Sequence, residues 1–484
     1  MARKWYAYIF RENAYGLAAQ ACVFLGGLIS TLIFPNLLGK EGFGYYSLAI
    51  GVVTGAVFLS DLGIPNAVLR FIPAGAKQGI AWRYFRLLLK LKLAASLLVA
   101  IAVFLGADAI AGAYASPALA DGLRVGSIFL FGYSMIGFAD NVFVAMKKAK
   151  NSLILNILFH GGRIVVPLAV FFAYRQDYVG IMLGLGAAAV LSVVPMLAAA
   201  WREPALRKGK PGRMDIPAIK SYMLFGTIFI IAYGVTQWSD TLLLGLFKPV
   251  AEVSVYRVAW LWAYATVFLL PFSQRIFLSA HAYEGVEKSR KLLRITMRYG
   301  FVFAFLMIAG IFLVSGQFLG IIYGNEFDSA YPILVILSVL TIELMLNSIT
   351  GGLFIGKGDM RTPGWAGVAA AAGQVALVLL LAPAYGMLGA AVGVVVPRVL
   401  VAVAQAIVAL RFVSMKIPPS YVYRPAICAA GAIALLMPFY QHTFSLIPAL
   451  AYGTAAAFTY GLLSLGVGAV DLQEIRRIAK GSLS

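Results

Sequence analysis

The chain contains apolar segments that are too long for the buried helices of an ordinary soluble domain. One of them, "LILNILFHGGRIVVPLAVFFAY", runs from Leu153 to Tyr174. A helix needs about 20 residues to cross the roughly 30 Å of hydrocarbon in a bilayer. Strands of a membrane barrel would instead alternate in polarity over about 10 residues. With 62% hydrophobic and only 12% charged residues among 484, the sequence predicts an all-α integral membrane protein.

Segments of this kind recur along the whole chain, and we predict about fourteen transmembrane helices. The predicted spans are Tyr15–Leu38, Phe43–Gly63, Leu87–Ile110, Gly122–Ala145, Ser152–Tyr174, Val179–Trp201, Ser221–Phe247, Val253–Phe277, Tyr299–Tyr323, Pro332–Ile355, Gly364–Ala382, Met387–Leu410, Pro425–Tyr440 and Ile447–Val470.

The net charge of +20 would suit a nucleic-acid partner, but the distribution of the basic residues argues against one. If the N-terminus is cytoplasmic, the inner segments hold 31 Lys and Arg residues, whereas the outer turns hold four. This asymmetry follows the positive-inside rule. We therefore expect both termini in the cytoplasm of a multi-pass cell (plasma or inner) membrane protein, Lys248 and Asn325 outside, membrane lipids as contacts and no nucleic-acid partner.

An offset of 210 residues relates the two halves of the sequence. The segment Ser30–Ala49, "STLIFPNLLGKEGFGYYSLA", aligns with Asp240–Ala259, "DTLLLGLFKPVAEVSVYRVA", and the same offset places Phe143–Lys148 over Leu353–Gly358. The repeat predicts two pseudo-symmetric six-helix lobes of equal orientation, followed by two C-terminal helices. The predicted domains are an N-lobe at 1–201, a basic cytoplasmic linker at 202–220, a C-lobe at 221–412, and spans 13 and 14 with a tail at 413–484.

The stretch "GKEGFGYYSLA" joins the first two predicted helices and is rich in glycine and tyrosine. Glycine permits the positive φ angles of a tight turn, and tyrosine is enriched at the depth of the membrane interface. We therefore interpret it as an outer hairpin.

Four arginines lie within the predicted spans: Arg163, Arg257, Arg275 and Arg398. Each costs roughly 2.5–3.5 kcal/mol at the centre of a membrane helix unless a partner or a watery cavity compensates it. Internal salt bridges, or snorkelling to the interface, would explain them structurally. Alternatively, arginines in both halves suit a cavity that receives an anion, because guanidinium binds phosphate bidentately and stays charged. On this hypothesis Arg163, Arg257 and Arg398 face a common central space.

Other polar residues accompany these arginines. Asn156 and His160 share a helix face with Arg163, although His160 would also serve as a simple hydrogen-bonding contact between helices. The intramembrane acids are Asp61, Asp140, Asp240 and Glu343.

Asp240, with Gln237 three residues earlier, could bind Na⁺ or carry a proton; the structural alternative is a pair between Asp240 and Arg257. The three histidines lack metal-ligand spacing and no phosphate-binding loop occurs, so we predict no catalytic residue, no metal site and no enzyme.

Several segments resemble the MOP (multidrug/oligosaccharidyl-lipid/polysaccharide) superfamily, in particular its polysaccharide transporters, the O-antigen (Wzx-type) flippases. They are "FGYYSLAIGVVTGAVFLSDLGIPNAVLRFIPA", "YGNEFDSAYPILVILS", "FIGKGDMRTPGW" and "PAYGMLGAAVG". The resemblance implies two six-helix lobes around a cavity, and a polyprenyl-diphosphate oligosaccharide flipped from the inner to the outer leaflet by alternating access.

The same resemblance assigns roles to single residues. Arg257 matches a diphosphate-holding arginine of lipid II flippases, and Asp240 begins the pattern "D-T-L-L-L-G", in which Thr241 replaces a common arginine. In relatives span 11 is usually asparagine-rich, whereas this sequence offers only Gln374 there and so departs from the pattern of a sodium ligand.

The alternatives are a cation-coupled multidrug (MATE-like) exporter, a lipid II-type flippase on the same scaffold, or a non-transporting scaffold for glycan machinery. We expect a monomer with glycan polymerase machinery as a further partner, and no cofactor apart from Na⁺ or H⁺ coupling or the membrane potential. The predicted substrate-binding residues are Arg163, Arg257, Arg398, Arg275, His160 and Asn156. The predicted cation-coupling residues are Asp240, Gln237 and Glu343.

Overall fold

The computed structural model describes residues 2–207, 214–269, 286–356, 359, 361–440 and 445–474. Within these ranges the chain forms helices and no strand, in agreement with the predicted all-α class. Contacts divide the chain into two compact units, Met1–Ser254 and Val255–Ser484, which we describe separately.

The first unit is built from nine helices and the start of a tenth, within the ranges described above. They are α1 (Ala2–Asp61), α2 (Ile64–Gln78), α3 (Ala81–Leu105), α4 (Ala107–Ala113), α5 (Leu119–Ala145), α6 (Ala149–Ala173), α7 (Tyr178–Arg202), α8 (Pro204–Arg207), α9 (Ile216–Phe247) and α10 (Val250–Leu269).

Helix α1 contains the first predicted hairpin. Its apolar part, Ala14–Asp61, has 48 residues, or about 70 Å at 1.5 Å per residue, which exceeds two hydrocarbon thicknesses. The helix breaks at Gly39, where φ is 63° and ψ is −178°, and this positive φ explains the glycine. The predicted turn between spans 1 and 2 is therefore confirmed. Tyr46 is buried and packs against Phe34 and Phe43, each with ring centroids 5.6 Å apart.

Helix α2 was not predicted from the sequence, which suggested only a basic inner loop there. Its buried residues recur at helical spacing: Ile64, Ala67, Val68, Phe71, Ile72 and Gly75. The opposite face exposes Arg70 and Lys77, so the helix is amphipathic. Glycines with positive φ, Gly63 and Gly79, flank it at both ends.

Helix α9 belongs to the first unit, although the predicted domain bounds assign it to the C-lobe. The reason is close packing against the preceding helices. A Cβ on Gly63 would lie 2.3 Å from the carbonyl oxygen of Met223, and a Cβ on Gly234 would lie 2.6 Å from the ring of Phe58. The predicted domain bounds remain a prediction.

The second unit comprises the rest of α10 and six further helices within the described ranges. They are α11 (Val286–Tyr323), α12 (Ala330–Ser338), α13 (Leu340–Gly356), α14 (Arg361–Phe412), α15 (Ser420–Leu436) and α16 (Leu446–Gly466). Helix α14 has 52 residues and breaks at Gly386, where φ is 56°. Within the described residues, eleven helices are long and apolar enough to cross a membrane. The count of fourteen spans and the cytoplasmic termini remain predictions.

The helix bounds follow the offset of 210 residues. Helix α5, Leu119–Ala145, corresponds to the region that α12 and α13 cover together. The break at Gly39 corresponds to Pro249, in the turn between α9 and α10. These matches support the predicted repeat, while the arrangement of two lobes around a cavity remains a prediction.

Candidate functional site

A polar stripe on α6 contains the residues predicted to share one helix face, Asn156, His160 and Arg163. Its acidic neighbour is Asp140 of α5. Asp140 Oδ1 accepts a hydrogen bond from Ser152 Oγ at 2.5 Å and another from Asn156 Nδ2 at 3.2 Å. Asn156 Nδ2 also donates to the carbonyl oxygen of Ser152 at 2.9 Å. Asn156 therefore holds the Asp140 carboxylate between two helices.

One turn further along α6, His160 is 8% exposed and its ring lies edge-on to Phe159, with ring centroids 4.9 Å apart. Helix α1 passes closely at this point, because a Cβ on Gly26 would lie only 2.9 Å from His160 Cβ. The buried Nδ1 of His160 has no hydrogen-bond partner among the described residues. The predicted hydrogen bond between helices is therefore not seen at this atom.

Arg163 completes the stripe and is half-buried. Its buried Nε has no hydrogen-bond partner in the described part of the chain, and no acidic side chain there forms a salt bridge with it. It interacts electrostatically with His160 and with Tyr133 of α5. Tyr133, which sequence reasoning missed, stacks on Phe129 at 5.2 Å and lies 5.5 Å from the ring of Phe159. Arg163 thus has a histidine and a tyrosine among its polar neighbours.

Sequence reasoning also missed a buried ion pair in the first unit. Lys92 was counted with the basic inner segments, but its side chain is only 1% exposed. Lys92 Nζ lies 2.5 Å from Asp61 Oδ1 and 3.4 Å from Ser60 Oγ, which is 2.9 Å from Ser134 Oγ. Its position within the predicted span Leu87–Ile110 was the available signal. Pairing offsets part of the free-energy cost of burying the Lys92 and Asp61 charges.

Asp240 and Gln237, predicted to couple a cation, are both buried on α9, with Asp240 fully buried. Thr241 Oγ1 lies 3.5 Å from Asp240 Oδ1. The pairing of Asp240 with Arg257 and the binding of a coupling ion both stay predictions. In the described residues, no three His, Cys, Asp or Glu side chains form a group that could hold a metal ion.

In the second unit, two residues predicted for different roles form one buried pair. Arg398 Nη2 lies 3.1 Å from Glu343 Oε2, and the two side chains are 5% and 8% exposed. Glu343 Oε1 also accepts a hydrogen bond from Asn347 Nδ2 at 2.6 Å. Seven residues further along both helices, Gln405 Nε2 donates to Thr350 Oγ1 at 2.7 Å. Helices α13 and α14 are therefore joined by two polar links about two turns apart.

Arg257 is 5% exposed, and its guanidinium lies 4.2 Å from the ring centroid of Trp260. This cation–π contact provides stabilisation in the absence of bulk water. Arg275 lies outside the described residues. The expectation that Arg163, Arg257 and Arg398 share a central space stays a prediction.

Long apolar helices that bury charged side chains define a multi-pass protein of the cell membrane, of the class to which transporters belong. Residues 10–275 match the family described as "Polysaccharide biosynthesis protein", so the chain belongs to this family. This family agrees with the predicted resemblance to proteins that handle polysaccharides.

Two proteins of Haloferax volcanii are similar in sequence. "Probable flippase AglR" is 26% identical over 288 residues, which cover 56% of this chain and 59% of that relative. The match therefore spans less than two thirds of that protein's length. "Probable low-salt glycan biosynthesis flippase Agl15" is 22% identical over 425 residues, covering 84% of this chain and 83% of the relative.

Solved structures show a similar fold. The structure described as "Lipid II flippase MurJ, inward closed conformation" superposes with a TM-score of 0.74 at 12% identity, covering 93% of this chain and 98% of that one. An inward-facing multidrug resistance MATE family transporter of the MOP superfamily gives a TM-score of 0.62 at 17% identity, covering 83% and 94%. At these identities the likeness establishes the fold alone.

Proposed function

We propose that this protein moves a polyprenyl-diphosphate-linked oligosaccharide from the inner to the outer leaflet by alternating access. The observation that carries the proposal is Arg163, a cationic side chain within a membrane-length helix that forms no salt bridge among the described residues. An uncompensated guanidinium at such a position favours an anionic ligand, and a diphosphate offers the bidentate oxygens that it binds best.

The neighbours of Arg163 fit the rest of such a ligand. His160 offers a ring nitrogen without a partner among the described residues, and Tyr133 lies within electrostatic range of the guanidinium. Imidazole, hydroxyl and amide groups, such as that of Asn156, are the side chains that hydrogen-bond to sugar hydroxyls. We also keep Arg257, in the second unit, as a proposed phosphate-binding residue, because it is buried beside Trp260 and a guanidinium remains charged in proteins.

The buried pair of Arg398 and Glu343 favours a structural role for both residues over direct contact with substrate. A guanidinium already bound to a carboxylate must exchange that partner before it can bind a phosphate. In our proposal Arg398 therefore contributes to substrate binding less than Arg163 does.

The membrane potential is a sufficient source of energy for one direction of transport. Moving two negative charges outward from a negative interior releases about 4.6 kcal/mol per 100 mV, at about 2.3 kcal/mol per charge. Coupling to Na⁺ or H⁺ through Asp240 and Gln237 is a second element of the proposal. We also propose that the protein works as a monomer beside the polymerase that consumes its product.

The proposal is tested by reconstituting the purified protein in liposomes with a polyprenyl-diphosphate oligosaccharide confined to the inner leaflet. Exposure of the sugar is measured with a membrane-impermeant glycosidase, and a fluorescent phosphatidylcholine and the cation ethidium serve as comparison substrates. We expect exposure of the lipid-linked sugar only. Export of ethidium without exposure of the sugar would instead support the multidrug exporter.

Coupling of transport to a Na⁺ or proton gradient is measured separately in the same liposomes. Asp240→Asn should abolish any dependence of the flipping rate on a Na⁺ or proton gradient, because the amide carries no charge to bind a cation. If the variant keeps both the wild-type rate and its gradient dependence, Asp240 has no part in coupling.

A further inference from the structure

A second basic site lies in the second unit, where α11, α15 and the segment after α16 meet. It is a cavity of about 110 Å³, several times the roughly 10–15 Å³ that one water molecule requires. Its lining consists of Arg298, Ser420, Tyr421, Arg424, Pro425, Gly468 and Ala469. Two guanidinium groups and no carboxylate contribute to this lining.

Arg298 is held in place by three separate contacts. Its Nε donates to the carbonyl oxygen of Ala469 at 3.1 Å, its Nη2 to that of Gly468 at 3.2 Å, and its Nη1 to Glu474 Oε2 at 2.6 Å. Glu474 Oε2 also accepts a hydrogen bond from the Tyr299 hydroxyl at 2.9 Å. Arg298 therefore has a fixed position in the lining of the cavity, and the Glu474 carboxylate balances its charge.

Arg424 forms fewer hydrogen bonds than Arg298 in the described part of the chain. Its Nη1 donates to the carbonyl oxygen of Gly468 at 3.1 Å, and no salt bridge with it occurs among the described residues. A guanidinium has five N–H donors in a planar fork. Within the described ranges Arg424 is oriented by this one bond, which leaves its other donors for a ligand. The carboxylate of Asp471, three residues after Gly468 in the sequence, already accepts the backbone N–H groups of Gln473 and Glu474.

The surroundings of the cavity suit a lipid better than a soluble anion. Large apolar side chains next to Arg424 and Gly468 in the sequence are exposed: Val422, Tyr423, Ile427, Val467 and Leu472. All of these segments belong to the side of the membrane that the positive-inside rule predicts to be cytoplasmic. Anionic lipids give that side its negative surface potential, which attracts basic residues there.

We propose that this cavity binds the phosphate group of an anionic phospholipid of the cytoplasmic leaflet, with Arg424 as the principal ligand. The lipid's acyl chains then cover the exposed apolar residues beside it. This site involves none of the residues proposed to bind the transported substrate.

The test is native mass spectrometry of the purified full-length protein titrated with dioleoyl-phosphatidylglycerol. Phosphatidylcholine is the zwitterionic comparison, and inorganic phosphate and farnesyl diphosphate compete as a free anion and as a substrate-like diphosphate. Arg424→Gln should weaken phosphatidylglycerol binding about tenfold, the typical effect of losing a charge-assisted contact. Arg411→Gln, which removes an exposed charge outside the cavity, is the matched control and should change binding less than about twofold.

A gain-of-binding variant makes the test independent of any folding defect in Arg424→Gln. Glu474→Gln keeps both arginines and removes the charge that balances Arg298, so it should tighten phosphatidylglycerol binding several-fold. Equal losses in Arg424→Gln and Arg411→Gln, or no gain in Glu474→Gln, would contradict the proposal. It would also be overturned if phosphate or farnesyl diphosphate bound in an Arg424-dependent manner while phosphatidylglycerol did not.

Discussion

Arg163 in the first unit and Arg398 in the second are both arginines within membrane-length helices, yet their surroundings differ. Arg398 is 5% exposed and forms a salt bridge with Glu343. Arg163 is half-buried, has no salt bridge among the described residues, and lies near Tyr133 and His160. The same residue type therefore joins two helices in the second unit, whereas in our proposal Arg163 of the first unit binds a ligand.

The largest effect is expected from breaking the buried salt bridge between Arg398 and Glu343. Arg398→Ala should destabilise the protein by about 3–5 kcal/mol, because it leaves the Glu343 carboxylate buried without its partner. The free energy of unfolding can be measured by denaturant titration in detergent. The double variant Arg398→Met/Glu343→Leu should regain most of the loss. If Arg398→Ala unfolds like the wild type but no longer flips the substrate, Arg398 belongs to the binding site and the contrast with Arg163 disappears.

The next effect concerns transport rather than stability. Arg163→Ala should lower the flipping rate about 10- to 100-fold, the equivalent of the roughly 1.5–3 kcal/mol of a charged hydrogen bond, with little change in unfolding. Arg163→Lys should recover only part of the rate, because an ammonium group lacks the bidentate fork. A wild-type rate in Arg163→Ala liposomes would remove this residue from the substrate site.

A smaller effect is expected from a substitution that tests whether close packing of α1 against α6 at His160 is needed for stability and transport. Gly26→Ala places a Cβ about 2.9 Å from His160 Cβ, so α1 and α6 must separate or shift, at a cost of about 1–3 kcal/mol. We expect both a lower thermal midpoint and a lower flipping rate. Gly27→Ala is the matched control, since nothing lies within 4 Å of a Cβ at that position. Equal behaviour of the two variants would argue against close packing at His160.

The smallest effect is expected at the second polar link of the second unit. Gln405→Leu removes the hydrogen bond to Thr350 Oγ1 and should cost about 1 kcal/mol of stability. The flipping rate should stay near the wild-type value, because the link only joins α13 and α14. A large loss of transport at unchanged stability would place Gln405 near the substrate path.

Much of the fold could be predicted because it depends on local sequence. Apolar length identified the membrane helices, and glycine chemistry located the turn at Gly39. Helical spacing alone placed Asn156, His160 and Arg163 on one face, and their positions on α6 agree with that prediction. An internal repeat of 210 residues is likewise visible without any structure.

The side-chain partners could not be predicted in the same way, because they depend on the register between distant helices. Lys92 pairs with Asp61 from 31 residues away, and Arg398 pairs with Glu343 from 55 residues away. Counting basic residues by side of the membrane assigned Lys92 to an inner loop. Sequence spacing could not show that Arg398 has a carboxylate partner, whereas Arg163 has none among the described residues. Helix α2 could not be predicted as a membrane helix, because its 15 residues are too few to span the bilayer and its exposed Arg70 and Lys77 are typical of an inner loop.

In our proposal Arg163, rather than Arg398, binds the substrate diphosphate. The most direct test compares the dissociation constant of farnesyl diphosphate for purified Arg163→Gln with that for the double variant Arg398→Gln/Glu343→Gln, which removes the pair without stranding a charge. We predict that the dissociation constant rises about tenfold or more for Arg163→Gln and changes within about twofold for the double variant. Unchanged affinity in Arg163→Gln together with lost affinity in the double variant would contradict it.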